Sequence, residues 1–308
     1  MTSAEESAGA VQTRLDARSR AEERLGWTLV APATLAIACV ALYPLAWVVW
    51  LSLRDRMILF GVDRWCGLAN YSALLGDARF WNALFNTGLF TVETVAVELV
   101  GGLAIALVLN CSFPGRGLAR AAVLIPWAIP TVVSARMFEW MYNSEAGVVN
   151  YVLRASGLVT GPVDWLGDPF WAFQAAVLVD VWKTTPFVAL LLLAGLQVIP
   201  EELYEAARVD GAGAVSRFLH VTLPLLRPAL LTAALFRALD AFRVFDAIYV
   251  LTGGGPADTT ETLSLYTYKV LFQTMQFGLG SALGVVTFLC VVAISAVFVR
   301  LMALEGVR

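Results

Sequence analysis

Glu201-Glu202-Leu203-Tyr204-Glu205-Ala206-Ala207-Arg208-Val209-Asp210-Gly211, running on to His220-Val221-Thr222-Leu223-Pro224, is a polar stretch set between two long apolar segments. That position requires a water-exposed loop between two membrane spans, and the composition predicts a helix at about 201–213 within it. Pro200 and the two glutamates suit a first helical turn, where free N–H groups and the helix dipole favour negative charge. Gly211 is placed to end the helix. Ala206 and Ala207 leave one face nearly bare, which lets another protein's surface approach the backbone closely. Glu205 and Arg208 stand at i,i+3 spacing and can pair, a contact worth only about 0.2–0.5 kcal/mol.

The composition on either side identifies the apolar segments as membrane spans. Of 308 residues 59% are hydrophobic and 15% charged, whereas soluble domains carry about 25% charged residues. Crossing the hydrocarbon core takes about 20 apolar residues, and six runs are long enough: 27–53, 84–109, 118–142, 172–196, 224–250 and 280–302. Pro44, Pro126, Pro130, Pro186 and Pro228 kink or begin spans, which helix bundles tolerate. No connection has room for a soluble domain. The fold class expected is therefore all-α, a single six-span membrane domain at 27–302 between an N-terminal tail, 1–26, and a C-terminus, 303–308.

Arginine bias in the short connections sets the orientation. The tail (Arg14, Arg18, Arg20, Arg24), the 110–120 loop, the 197–223 loop and the C-terminus fall on one side, which is read as cytoplasmic. The first outer loop, with Arg54, Arg56, Arg64 and Arg79, runs against the rule. The tail lacks the apolar core and cleavage site of a signal peptide. Cys39 and Cys290 lie in spans, and Cys66 and Cys111 on opposite sides of the membrane, so the four cysteines form neither a disulfide framework nor a metal set. Trp165 and Trp171 are expected as interface anchors.

Ten ionisable residues fall within the inner spans: Glu93, Glu98, Arg136, Glu139, Asp180, Lys183, Arg237, Asp240, Arg243 and Asp246. A charge at mid-membrane costs about 2.5–3.5 kcal/mol on insertion scales, so each needs a partner or a purpose. Asp180 and Lys183 can pair at i,i+3, and Arg237, Asp240, Arg243 and Asp246 make a stripe along the fifth span. Four basic against six acidic residues suit a neutral glycan better than a phosphorylated substrate.

Glu205-Ala206-Ala207, three residues, Gly211, nine residues, Val221, one more, then Leu223-Pro224 resembles the signature of permease subunits of binding-protein-dependent ABC importers. Leu251-Thr252-Gly253-Gly254-Gly255-Pro256, then Tyr266-Thr267-Tyr268, with Trp127-Ala128-Ile129-Pro130 and Gly147-Val148-Val149-Asn150, resembles their maltose/trehalose-type carbohydrate branch. The resemblance runs from Trp27 to Arg300 and implies the type I ABC importer fold. It implies a coupling helix, with Glu205, Ala206, Ala207, Asp210 and Gly211 against an ATPase, and contact of Gly253, Gly254, Gly255 and Pro256 with an external solute-binding protein or lipoprotein. Position by position, it places the sugar pocket at Trp127, Thr131, Asp180, Lys183, Thr184, Phe187, Asp240, Ala241 and Val244.

The partners it implies are a second permease in a heterodimer, two ATP-binding subunits that hold ATP and Mg, the sugar and the lipid of a bacterial plasma membrane. No nucleic acid, metal or cofactor of the chain's own is expected, and no enzymatic activity. The chain has no Gly-x-x-x-x-Gly-Lys-Ser/Thr phosphate loop of its own. Two alternatives stand beside this reading. One is a proton-coupled secondary transporter using Glu93, Glu98, Asp180 or Asp240; the other is an ABC permease for glycerol phosphate or another polyol.

Overall fold

A computed structural model describes residues 22–305. Most of the expected tail, with Arg14, Arg18 and Arg20, lies outside them, as do residues 306–308 of the expected C-terminus. Helix α1, Glu22–Ser52, is long and apolar enough to cross a membrane. It contains one widened π turn, Ala38–Leu42, just before Pro44.

From Ser52 onward the chain forms one compact unit. A short hairpin, β1 (Arg54–Met57) and β2 (Val62–Trp65), comes first, with Asp55 opposite Arg64 and Arg56 opposite Asp63. The hairpin is a small addition to an otherwise helical fold, the class expected. It also shows how the arginines of the first outer loop are accommodated: Arg54 pairs with Asp63 and Arg64 with Asp55, both at 2.8 Å, and Arg79 pairs with Glu261 at 2.6 Å.

Helix α2 (Ala69–Leu75) leads to α3 (Ala78–Asn110), whose first turn is capped by the Asp77 carboxylate accepting from the Arg79 N–H at 2.9 Å. Asp168 caps α8 (Pro169–Gln197) in the same way, accepting from the N–H groups of Phe170 and Trp171. Carboxylates at these positions satisfy otherwise unpaired N–H groups. α3 and α8 pack along much of their length and form the centre of the unit. Close approach is possible because Gly102 faces Val188; a Cβ there would lie 2.6 Å from Val188 Cγ1.

The expected third span, 118–142, is broken. Helices α4 (Arg116–Val123) and α5 (Ile125–Ala128) meet α6 (Thr131–Met141) at an 87° bend. The residue before a proline is driven out of helical conformation, and Ile129, ahead of Pro130, is extended with ψ 133°. The described residues thus hold five helices long and apolar enough to span, or six if the bent pair counts as one.

Between α6 and α8, helix α7 (Val148–Ala155) carries Asn150, fully buried and hydrogen-bonded through both ends of its amide. It donates to Ser144 O and Val163 O and accepts from Val163 N and from Trp165 Nε1 at 3.0 Å. Trp165 is therefore tied into the fold and packs on the core instead of standing free at the interface, with Trp171 edge-on to it.

The fifth span also departs from expectation. Helix α9 (Glu201–Val209) is followed by α10, Ala214–Ala241, which begins ten residues before the predicted start at 224 and ends nine before the predicted 250. Leu223-Pro224 lies inside it, directly after a π turn at Phe218–Thr222. Proline lacks an N–H, and a widened turn ahead of it lets the hydrogen-bond ladder skip that position; Pro44 stands in the same relation to its own π turn. After a turn at 242–245 come α11 (Asp246–Leu251), α12 (Leu263–Tyr268) and α13 (Phe277–Glu305). The expected charged stripe is consequently not one helix face. Arg237 and Asp240 are on α10, Arg243 is in the turn, and Asp246 starts α11.

Candidate functional site

α5, α6, α8 and α10 enclose two adjoining hollows. One, of about 430 Å³, is lined by Trp127, Thr184, Phe187, Arg237, Asp240 and Arg243 among others. The second, about 220 Å³, is bounded by Thr131, Asp180, Asp240, Arg243, Val244 and Phe245 among others. Asp240 and Arg243 border both. Seven of the nine positions expected at the pocket, Trp127, Thr131, Asp180, Thr184, Phe187, Asp240 and Val244, line one or both of the hollows.

The other two stand elsewhere. Ala241 is buried in the core beside Ile248 and lines neither hollow. The expected Asp180–Lys183 pair does not form, since Lys183 Nζ donates to Trp127 O at 3.4 Å while Asp180 turns to Arg237. α10 brings that stronger partner, a guanidinium with five donors, within reach of three carboxylates at once.

Arg237 organises the cluster. Its Nε and Nη2 donate to Glu98 at 2.5 and 2.9 Å, Nη2 also to Asp180 at 2.9 Å, and Nη1 to Asp240 at 2.6 Å. The Thr184 hydroxyl donates to Glu98 as well. Arg237 and Glu98 are buried, whereas the Asp240 side chain is 67% exposed. The network thus fixes Asp240 from beneath and leaves its outer edge open to the cavity, an acceptor suited to hydroxyl groups. Trp127 and Phe187 lie nearly parallel, 6.0 Å apart with 19° between planes, and present flat apolar faces beside it. Convergent polar groups among aromatic walls are what a small-molecule site requires.

Glu98, Arg237 and Arg243 were not among the expected pocket residues. The i,i+3 spacing from Arg237 through Asp240 to Arg243 was the signal available for two of them; Glu98 was marked only as a charge within a span, because its partner lies 139 residues away. Two further acids of the inner helices have other partners: Gln174 donates to Glu93 at 3.1 Å, and Arg136 pairs with Glu139 at 2.6 Å.

α9 follows Pro200 with Glu201 and Glu202 in its first turn, and none of its residues is buried. Arg208 pairs with Glu201 at 3.2 Å and not with Glu205, so Glu205 and Ala206 are left exposed. Gly211 adopts φ +79° and its N–H reaches Arg208 O, while Ala212 N–H reaches Ala207 O, closing the helix. Asp210, at the C-cap, is also exposed. Tyr204 tethers the helix to the base of α10 through Thr222, at 3.1 Å. Val209 and Val215, 88% and 72% exposed, add apolar surface to a polar loop, a mixture suited to protein contact.

On the far side, the turn 252–262 is tightly braced. Glu261, fully buried, accepts two hydrogen bonds from Arg79 and pairs with Lys269 at 2.6 Å. Asn82 and Asn86 donate to Asp258 O. Burial acts to raise the Glu261 pKa, but the hydrogen bonds from Arg79 and Lys269 outweigh it and hold the carboxyl below the usual range. Burial, then the hydrogen bond to Asp77, push the Tyr266 phenol up. Gly254 sits at φ +94° and is buried against Leu265 and Lys269. Of the four residues expected to meet an external protein, Gly253 is exposed and Gly255 and Pro256 are partly so.

The family described as binding-protein-dependent transport system inner membrane component matches residues 98–304. The trehalose/maltose transport system permease protein MalF of Thermococcus litoralis is 44% identical over 91% of this chain and 94% of its own. The trehalose transport system permease protein SugA of Mycobacterium tuberculosis is 44% identical over 98% of this chain and 96% of its own. Among solved structures, a chain of a bacterial alginate ABC transporter, crystallised with an alginate pentasaccharide-bound periplasmic protein, superposes with a TM-score of 0.77. That match covers 91% of this chain and 94% of the other at 21% identity, and so bears on the fold alone. Taken with the helical membrane unit and its internal cavity, these matches establish that the chain belongs to the inner membrane components of binding-protein-dependent transport systems, the permeases of ABC transporters.

Proposed function

We propose that this chain is one of two permease subunits of an ATP-driven sugar importer, and that its cargo is a disaccharide such as trehalose or maltose. The observation that carries the reading is 44% identity, over nearly the whole chain, to permeases of trehalose/maltose and trehalose transport. The cavity supports it: Asp240 offers an open carboxylate edge, and Trp127 and Phe187 offer ring faces, which together suit a polyhydroxylated ring with apolar C–H faces.

On this reading 27–302 is the transmembrane domain, both termini are cytoplasmic, and the second permease supplies the remaining cavity wall. Two ATP-binding subunits hold ATP and Mg and press on α9 at Glu205, Ala206, Ala207, Asp210 and Gly211. Their closure moves α9 as a rigid lever, through Tyr204 and Thr222 into α10, and switches the cavity between inward- and outward-facing states. An external binding protein or lipoprotein delivers the sugar at the turn holding Gly253, Gly254, Gly255 and Pro256, with Gly254 shaping the turn from inside. Ala241 backs the pocket, and Lys183 holds Trp127 in place.

The test is purification of the chain with its co-purifying subunits, followed by ATP hydrolysis measured with the external binding protein and a sugar panel. Co-purification of an ATPase stimulated by trehalose or maltose is expected. A chain that purifies alone, without ATPase, overturns the proposal.

A further inference from the structure

Beyond the two hollows, four aromatic rings stand in contact, three packed mutually and the fourth against one of them. Phe245, which borders the smaller hollow, stacks on Tyr249 at 5.2 Å with 15° between planes. Tyr268 lies 5.1 Å from Phe245 and 5.3 Å from Tyr249, and Phe272 lies 5.3 Å from Tyr268. Phe245 and Tyr268 rest on the core, whereas Tyr249 and Phe272 remain 45% and 56% exposed.

What this exposed face meets is limited by its neighbours. Asp246 and Tyr249 are three apart on α11 and share its exposed side, while Ala247, Ile248 and Leu251 are buried on the other. Arg243 is exposed just before them. Asp246 on this face and Arg243 in the turn before it disfavour lipid there, because ionisable groups at membrane depth turn toward protein or water-filled space. Ring faces beside charged groups are a poor lipid contact and a good carbohydrate contact: the C–H face of a pyranose packs on the ring while its hydroxyls reach the charges.

We propose that Phe245, Tyr249, Tyr268 and Phe272 form a second sugar subsite, an aromatic track on which an incoming pyranose ring stacks before passing Phe245 into the cavity. This rests on the sugar-import reading. The continuity of these rings with the cavity wall at Phe245 favours sugar over a packing surface for the second permease.

The experiment uses the assembled transporter in proteoliposomes, with external binding protein in excess and labelled trehalose or maltose as cargo. Tyr249→Leu and Phe272→Leu are each expected to lower uptake about five-fold, the factor that one lost ring stacking of about 1 kcal/mol corresponds to. Tyr249→Phe and Phe272→Tyr, which keep the ring, are expected to transport like the parent; a merely space-filling role would accept leucine. In a second measurement, Phe272→Cys, in a chain whose Cys39, Cys66, Cys111 and Cys290 are replaced by serine, is expected to react with a water-soluble maleimide and to be protected by trehalose. Leucine variants that transport like the parent, or that lose the second permease on purification, overturn the subsite. So does a Phe272→Cys variant whose thiol stays inert in the assembled complex. If the parent complex imports neither sugar, the import reading itself falls, and the subsite with it.

Discussion

Substituting Arg237 with methionine keeps an unbranched stem of similar length and removes the cation that joins α3, α8 and α10. Glu98 then remains fully buried, with Thr184 as its hydrogen-bond donor, and Asp180 and Asp240 face it with no guanidinium between them. Breaking a buried ion pair from one side costs about 3–5 kcal/mol. In a chain of this length that corresponds to a thermal midpoint lowered by roughly 5–10 °C. Glu98→Gln is far milder, because Arg237 keeps Asp180 and Asp240 and the carboxamide oxygen still accepts; about 1 kcal/mol is expected. Arg237→Met combined with Glu98→Leu removes the buried Arg237–Glu98 pair and leaves Asp180 as the buried charge without its guanidinium, so it recovers part of the loss. The assay is the midpoint of aggregation of the detergent-solubilised complex, read by size-exclusion chromatography. The reasoning fails if Arg237→Met melts with the parent, or if the double variant is no more stable than Arg237→Met alone.

Three further outcomes are expected. Gly102→Ala drives a methyl into Val188, and overpacking of this kind costs about 1–3 kcal/mol, visible as a lower midpoint in the same assay; an unchanged midpoint means that α3 and α8 can part freely there. Glu261 has a depressed folded pKa, so its stabilisation is fully present above the unfolded value of about 4.3 and is lost as pH falls through the folded one. Protection of residues 252–262 against hydrogen exchange, taken relative to the free-peptide rate at each pH, should therefore be full at about pH 5 and fall only below the ordinary carboxylate range; Glu261→Gln should lack this acid step, and a parent turn that loses protection at about pH 5 contradicts the assignment. Glu205→Lys leaves folding and membrane insertion intact, because the side chain is exposed and unpaired with Arg208, but abolishes uptake; normal uptake removes Glu205 from the coupling role.

Much of the architecture was legible in the order of residues. Apolar runs located α1, α3, α8 and α13 to within about six residues at each end, because crossing hydrocarbon imposes length and composition that no tertiary contact can relax. Pro200, Glu201, Glu202 and Gly211 marked α9 because helix ends have local requirements. The polarity of the stretch between two spans was sufficient to predict an exposed helix at about 201–213, and the structure has it at Glu201–Val209, shorter because Gly211 at φ +79° closes it.

Other features depend on which groups meet across the chain. The 87° bend at Ile129–Pro130 and the shift of α10 past Pro224 reflect how far neighbouring backbone tolerates a missing N–H, which an apolar run does not record. Asp180 and Lys183 have helical spacing for a pair, yet Arg237, 57 residues away, takes Asp180 because a buried guanidinium can satisfy three carboxylates together. Composition and periodicity therefore determined that this chain is a helical membrane protein with a polar interior and an exposed helix between two of its spans. Only the tertiary structure decided which charge faces which, and so where the open edge of Asp240 and the group of aromatic rings come to stand. Burial makes an ion pair compulsory without naming its partner, and the partner is chosen by packing.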